Sequence, residues 1–243
     1  MEYGPETYGE RVAAVYDDWY KLPNTESEVA LLAELAAGGR ALELGIGTGR
    51  IALPLAARGV EVHGIDASPA IVARMREKPG GDKIDVTIGD MADVPVAGEF
   101  AIVFVVFNTF FMLTTQEAQV RCFRNVAARL APGGRFLLHT FVPDLSRVEA
   151  GEYLSVREAA VDRVRLDAVT FDRVAQVLDS TQVRMTESGQ QFVYAKLRYA
   201  FPPEIDLMAQ LAGLTLEARY GGFDKSPFTA DSAFHVSVYC ASA

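Results

Sequence analysis

Residues 41–50 read ALELGIGTGR. An apolar stretch around one acid runs into alternating glycines, the order expected of a strand that ends in a tight turn and leads into a helix. Turns of this kind let backbone approach a bound nucleoside. The dinucleotide form is G-x-G-x-x-G, with a separate steric task for each glycine. Gly45 and Gly47 fill the first two places, but Arg50 stands where the third glycine belongs, and a glycine comes one residue early, at Gly49. The pattern is G-x-G-x-G, which leaves open whether a nicotinamide, a flavin or another adenosine-bearing ligand binds here.

On either side of this turn the chain alternates strands and helices. ESEVALLAELAAGG repeats apolar residues at helical spacing and stops at Gly38 and Gly39; RALELG is then a strand, and RIALPLAARG a helix that tolerates Pro54 about one turn in. VEVHGID is the second strand. SPAIVARMREK begins a helix with Ser68 as N-cap and Pro69 at the first helical position. IDVTIGD is the third strand, and EFAIVFVVF, apolar almost throughout, is a strand buried on both faces. TTQEAQVRCFRNVAARLAPGG opens with Thr114 and Glu117 at capping-box spacing and closes at Pro132-Gly133-Gly134, before a fifth strand, RFLLHTF. The rhythm predicts an α/β fold, a doubly wound Rossmann-like sheet of five parallel strands, whose ligands sit at the carboxyl ends of the strands.

Beyond Pro143 the texture changes. YLSVRE, RVRLDAVTF, RVAQVL, TQVRMTE and QFVYAKLRYAF alternate without an intervening helix and predict a small antiparallel insertion over the binding face. FPPEIDLMAQLAG is a helix, and LTLEARY and AFHVSVYCA form a C-terminal antiparallel pair that completes the main sheet. The expected organisation is a single domain: an N-terminal helical lid at 1–38, a cofactor-binding core at 39–144, the insertion at 145–200, and a closing helix and strands at 201–243.

ELGIGTGR, GIDASPAIV and IGDMADVPV together resemble the class I S-adenosylmethionine-dependent methyltransferases, across a core from about Ala30 to Phe141. The resemblance implies S-adenosyl-L-methionine as cofactor, S-adenosyl-L-homocysteine as product, and no metal. It implies that Gly45, Gly47 and Gly49 admit the amino-acid end of the cofactor and that Glu43 helps to order it. Asp66 takes the ribose hydroxyls, with Ala67 beside it, a role that would serve NAD equally well. Asp90 takes the adenine amino group, with Met91 beside the ring. Phe107 and Tyr20 complete the cofactor set. Tyr16, Trp19 and Tyr20 are lid residues in this reading, although their spacing equally fits helix packing.

Methyl transfer needs alignment and water exclusion, and a base only where the acceptor is a poor nucleophile. The catalytic candidates are His139 at the end of the fifth strand, Asn108 at the mouth of the fourth, and Tyr16; His235, Asp224, Arg198 and Tyr199 are further polar residues with either a cleft or a bracing role. Asn108-Thr109-Phe110-Phe111 lacks the two prolines of the DNA adenine methyltransferase motif. With a net charge of -9 and no basic run, nucleic acid is excluded as the expected partner. Arg50, Arg58, Arg74 and Arg76 read as solvated helix positions.

The expected acceptor is a small metabolite methylated on N or O, in a layout similar to the glycine and aminosugar N-methyltransferases. A homodimer is compatible with it. Competing readings are an NAD(P)-dependent oxidoreductase, a non-catalytic cofactor-binding regulator, and a protein or RNA methyltransferase. Cys122 and Cys240 have neither disulfide nor metal spacing. The 14-residue apolar run from Phe100 to Leu113 is too short to span a bilayer, and the N-terminus has no apolar signal segment, so no membrane partner and a cytoplasmic location are expected.

Overall fold

The computed structural model describes residues 3–20 and 25–241. Met1, Glu2 and residues 21–24 of the expected lid lie outside the described residues. The elements begin with α1 (Thr7–Val12), α2 (Tyr16–Trp19) and α3 (Glu26–Ala36). The core follows as β1 (Ala41–Leu44), α4 (Ala52–Ala57), β2 (Val62–Asp66), α5 (Pro69–Arg76), β3 (Asp85–Ile88), β4 (Phe100–Val105), α6 (Gln116–Ala127) and β5 (Leu130–Phe141). Then come α7 (Leu145–Ala150), four strands β6 (Glu152–Ala159), β7 (Arg163–Asp172), β8 (Val177–Thr186) and β9 (Gly189–Arg198), and finally α8 (Pro202–Leu211), β10 (Leu214–Tyr220) and β11 (Phe234–Ala241).

Two sheets result. The larger has seven strands in the order β10-β11-β5-β4-β1-β2-β3. β1 to β5 pair in parallel, and β11 lies antiparallel between β5 and β10. This is the Rossmann-like arrangement the alternation predicts. Strand order reverses between β1 and β4, which opens the crevice where ligands of such sheets bind. β4 explains its apolar sequence: Val103 and Val105 enter the core on one face, Ile102 and Phe104 on the other, all fully buried. Each such side chain contributes about 1.5–3 kcal/mol of burial free energy.

Local signals explain several boundaries. Ser68 Oγ accepts the amide N–H of Ile71 at 3.2 Å, with Pro69 next in line, and α5 starts there. Pro54 falls in the first turn of α4, where a missing donor costs least. Other boundaries differ from expectation. The cap of α6 is Thr115, whose Oγ1 accepts from Ala118 N at 3.1 Å, not Thr114; the residue at the third helical position is therefore Ala118, so no reciprocal capping box with Glu117 forms. Pro132-Gly133-Gly134 does not end the helix but lies inside β5, because a Cβ at Gly134 would stand 2.9 Å from the Phe100 carbonyl oxygen of the neighbouring strand.

The second sheet has the order β6-β7-β8-β9 and is antiparallel throughout. RVAQVL and TQVRMTE, expected as separate segments, contribute to one strand, β8, while residues 173–176 form the turn before it. Helices α1 and α2 lie between the two sheets: Gly9 packs so closely on Ser68 that a Cβ would meet its Cβ at 2.4 Å, while Trp19 Nε1 donates to Gln191 on β9 at 3.3 Å. Arg198 and Tyr199 brace this layer. Arg198 bonds Gln119 at 2.6 Å and Glu204 at 2.7 Å, away from any cleft, and both residues are buried. No helix among the described residues is long and apolar enough to cross a membrane.

Candidate active site

At the carboxyl ends of β1 to β4 a cleft is lined by Gly45, Asp66, Ala67, Asp90 and Met91 on the core side and by Tyr8 and Tyr16 on the N-terminal side. Its floor is the glycine turn. Gly45, Gly47 and Gly49 all have positive φ, at 70°, 57° and 77°, a region costly to residues with a Cβ. Gly45 has a second reason: a Cβ there would stand 2.4 Å from Thr109 Cγ2.

Asp66 holds the turn in shape. Its Oδ2 accepts the Gly47 N–H at 2.8 Å and its Oδ1 the Ser68 N–H at 2.9 Å. Burial raises this carboxyl above its ordinary range, and the two amides pull against the rise. Each oxygen keeps acceptor capacity beyond its one amide, so Asp66 can bind hydroxyls while it fixes the loop. Asp90 is held similarly by the Ala92 N–H at 2.8 Å; its second oxygen lies 3.7 Å from Arg121.

Beneath the turn lies Glu43, 3% exposed, with Oε2 buried and without a hydrogen-bond partner among the described residues. Burial pushes its carboxyl well above the usual range, and the Arg50 guanidinium opposes that. Arg50 is the residue that displaces the third glycine. It does not lie on a solvated helix face: it bonds Glu28 at 2.6 Å and packs over Phe107, 5.4 Å from the ring centroid. A cation under the loop therefore balances two buried acids, a role that a glycine at position 50 would leave unfilled.

The N-terminal segment closes the cleft. Tyr16 and Tyr20 rings lie 4.9 Å apart, Tyr20 meets Phe107 at 5.6 Å, and the Tyr8 hydroxyl donates to that of Tyr20 at 3.0 Å. Burial raises all three hydroxyls above the ordinary tyrosine range. Two carboxylates latch this segment to the core. Asp17 accepts from Thr48 Oγ1 and from Lys78 Nζ, each at 2.7 Å. Glu10 accepts from Ser68 Oγ at 2.7 Å and Ala70 N at 3.1 Å. Sequence reasoning missed Glu10, Asp17, Thr48 and Lys78, since partners 31 to 61 positions apart carry no local pattern.

Of the catalytic candidates, Tyr16 lines the cleft and the other two stand behind Phe107. Asn108, left-handed at φ 66°, uses Oδ1 to accept the Phe141 N–H at 2.7 Å and so ties the mouths of β4 and β5 together. Phe107 is itself left-handed at φ 58°. His139 Nδ1 accepts the Phe107 N–H at 3.2 Å, so its neutral ring carries the proton on Nε2. Burial, aided by Arg50, lowers its pKa to about 4. His235 is a core histidine, bonded to Thr140 at 3.0 Å and Ser237 at 2.8 Å, its pKa lowered to about 3 mainly by burial. Asp224 serves a turn, accepting the Ser226 N–H at 3.1 Å. Among the described residues no group of three or more His, Cys, Asp or Glu stands close enough to hold a metal ion.

Comparison with known proteins bears on this geometry. A methyltransferase domain family matches residues 41–134. The cypemycin N-terminal methyltransferase of a Streptomyces species is 30% identical over 196 residues, 80% of each chain. The CcbJ methyltransferase of Streptomyces caelestis superposes with a TM-score of 0.92 at 38% identity, over 99% of this chain and 100% of that one. CalS10 of Micromonospora echinaspora, an amino pentose methyltransferase seen with S-adenosylmethionine bound, shares the fold at a TM-score of 0.69 and 22% identity, over 92% of this chain and 96% of its own.

Proposed function

Since the chain belongs to the class I S-adenosylmethionine-dependent methyltransferases, we propose that it methylates an amine nitrogen of a small metabolite. The oxidoreductase alternative falls with the family assignment. The residues of the cleft fit the cofactor: a glycine floor that leaves no room for a Cβ at Gly45 or Gly49, two carboxylates with acceptor capacity to spare, and a buried Glu43 oxygen that lacks a donor among the described residues. In this reading Asp66 takes the ribose hydroxyls, Asp90 the adenine amino group beside Met91, and Glu43 with the glycine turn the amino-acid end. When bound, S-adenosylmethionine supplies an electrophilic methyl on a positive sulfur.

The observation that carries the choice of nitrogen is the state of His139. Its Nδ1 lone pair is committed to the Phe107 amide, its Nε2 carries the proton, and a pKa near 4 leaves it a poor acceptor. Tyr16 and Tyr20 of the N-terminal segment are pushed up by burial and are no better. A hydroxyl acceptor needs its proton removed, whereas a neutral amine brings its own lone pair. The rings of Tyr8, Tyr16, Tyr20 and Phe107 assist such an acceptor by excluding water, which favours the uncharged amine, and by offering π-faces to the charge that nitrogen acquires. The cypemycin relative, an N-terminal methyltransferase by name, supports the same reading.

The test begins with calorimetric titration of S-adenosylmethionine and S-adenosylhomocysteine, then measures S-adenosylhomocysteine formation with panels of amines, phenols and alcohols. Turnover is expected with amines, with His139→Ala retaining kcat to within about tenfold, because a general base typically contributes 10²–10⁴. Turnover of hydroxyls with a hundredfold loss in His139→Ala would overturn the reading. Tight cofactor binding with no turnover on any acceptor would favour the non-catalytic regulator.

A further inference from the structure

The inward face of the second sheet carries two arginines that have no ion pair among the described residues: Glu158, opposite Arg165 on β6, and Asp167, two positions along β7, are engaged by Arg163 and Arg157. Pairing of β7 with β8 sets Arg165 directly opposite Arg184. Side chains so placed have Cβ atoms about 4.5–5.5 Å apart, and like charges there are destabilising. Arg165 lies over Trp19, 5.4 Å from the ring centroid, and Gln191, opposite Arg184 on β9, accepts the Trp19 indole N–H. On the same sheet Arg157 is paired with the buried Asp167, and Arg163 with Glu158 and Asp162. Among the described residues neither Arg165 nor Arg184 has an ion pair.

Two buried polar atoms of this sheet also lack partners, Arg184 Nε and Ser155 Oγ. An open depression of about 370 Å³ at the β8–β9 hairpin has Arg184 and Gln191 on one side of it, with Thr186, Ser188, Gly189 and Gln190 forming the rest. In a chain with 32 acids against 23 bases, an opposed arginine pair without a counter-ion is a feature that folding alone does not reward.

We propose that Arg165 and Arg184 bind an oxyanion carried by the acceptor, a carboxylate or a phosphate, so that the substrate is an anionic amine. This rests on the amine reading above. Guanidinium forks bind such groups bidentately, and an anion between them turns the like-charge contact into an attraction. Gln182, two residues before Arg184 on the same face, accepts the Tyr20 hydroxyl at 3.3 Å, and Tyr20 packs on Phe107. Two residues of strand span roughly 7 Å, so one small molecule reaches from the tyrosine cluster to the arginine pair.

Trp19, the single tryptophan of the chain, reports on the site without any turnover. Its fluorescence is titrated with sodium phosphate and with sodium acetate at constant ionic strength, with chloride as blank. A saturable change is expected for the native protein and for Arg163→Gln, and its loss for Arg165→Gln and Arg184→Gln. Whichever anion saturates at the lower concentration identifies the group. No saturable change in the native protein, or the same change in Arg184→Gln, would overturn the proposal.

Arg184→Gln is expected to melt no lower than the native protein without anion, because it removes a like-charge contact. Should it fail to fold, Arg184→Lys keeps the charge but loses the fork, and is expected to weaken the anion at least fivefold; undiminished affinity would overturn the proposal. The second arm compares amino acids with their amides, and aminoalkyl phosphates with the matching alcohols, as methyl acceptors. A preference of tenfold or more in kcat/KM for the anionic member, abolished in Arg184→Gln, is expected, and equal use of both members would overturn it. Saturable anion binding without turnover of any amine would retain the arginine site and remove the amine reading.

Discussion

The two sheets treat their polar groups in opposite ways. At the mouth of the parallel sheet the carboxylates that face the cleft are each held by backbone N–H groups, Asp66 by two and Asp90 by one, and the shape exists before any ligand arrives. On the antiparallel sheet Arg165 and Arg184 face each other without an ion pair among the described residues, the nearby Glu158 and Asp167 being engaged by Arg163 and Arg157, and Ser155 Oγ is buried with no hydrogen-bond partner among those residues. The first region is finished by the fold except at Glu43, whose buried Oε2 has no hydrogen-bond partner among the described residues. The second is completed by something the fold does not contain, which is where the specificity of a family with one shared cofactor has to reside.

The sharpest way to break this contrast is Asp66→Ala. It removes the clamp on the glycine turn and the acceptor proposed for the cofactor hydroxyls, so cofactor affinity is expected to fall about 100-fold, roughly 2.7 kcal/mol, by calorimetry. A loss below fivefold would mean that the turn is not organised by this carboxylate. Gly45→Ala comes next. A Cβ at φ 70° and 2.4 Å from Thr109 is expected to lower unfolding free energy by about 2 kcal/mol in urea denaturation, where a neutral result would put the rigid floor in doubt.

Acid sharpens the comparison from another side. His235 has a folded pKa near 3, below its unfolded value, so the unfolded state takes up a proton that the native state refuses. Its contribution is fully present above the unfolded pKa and is lost as pH falls toward 3. Between pH 6.5 and 5.5 its share of the expected loss is about 1 kcal/mol; His139, lowered to about 4, adds a similar share, so the fall in melting temperature over this interval should shrink in His235→Gln without vanishing. The smallest effect on stability belongs to Asp17→Asn. Burial would raise this carboxyl, but hydrogen bonds from Lys78 and Thr48 outweigh it and hold it below the ordinary range. The side chain is half exposed, so the stability change is expected at about 0.5 kcal/mol, and the informative readout is a faster release of S-adenosylhomocysteine in stopped flow.

What the sequence disclosed divides along the same line. The glycine turn, the Ser68–Pro69 helix start and Asp66 at the end of β2 were legible because each is a local requirement, satisfied within a few residues. Thr114 and Thr115 are adjacent threonines, and only the path of the chain selects the second as cap. β8 was obscured for a chemical reason: Asp179 and Ser180 interrupt the pattern between the two expected segments and imitate a turn, although they lie within the strand, next to Thr181 and to Gln182, which is turned toward Tyr20. Arg50 was taken for a solvated charge because its partner, Glu28, lies 22 positions away in another helix. A polar inner face is the signature of a ligand surface and, for the same reason, the part of a strand that periodicity cannot find.

The segment from α1 to α2 touches both regions at once. Asp17 and Glu10 grip the cofactor side, while Tyr20 and Trp19 bond the antiparallel sheet through Gln182 and Gln191. A wall common to two compartments makes their occupancies linked quantities, and linkage is reciprocal: whatever factor the cofactor applies to acceptor affinity, the acceptor returns to the cofactor. Substitutions at Asp17 or Trp19 should then shift both dissociation constants in the thermodynamic cycle together, so the wall sets the coupling free energy between the two substrates.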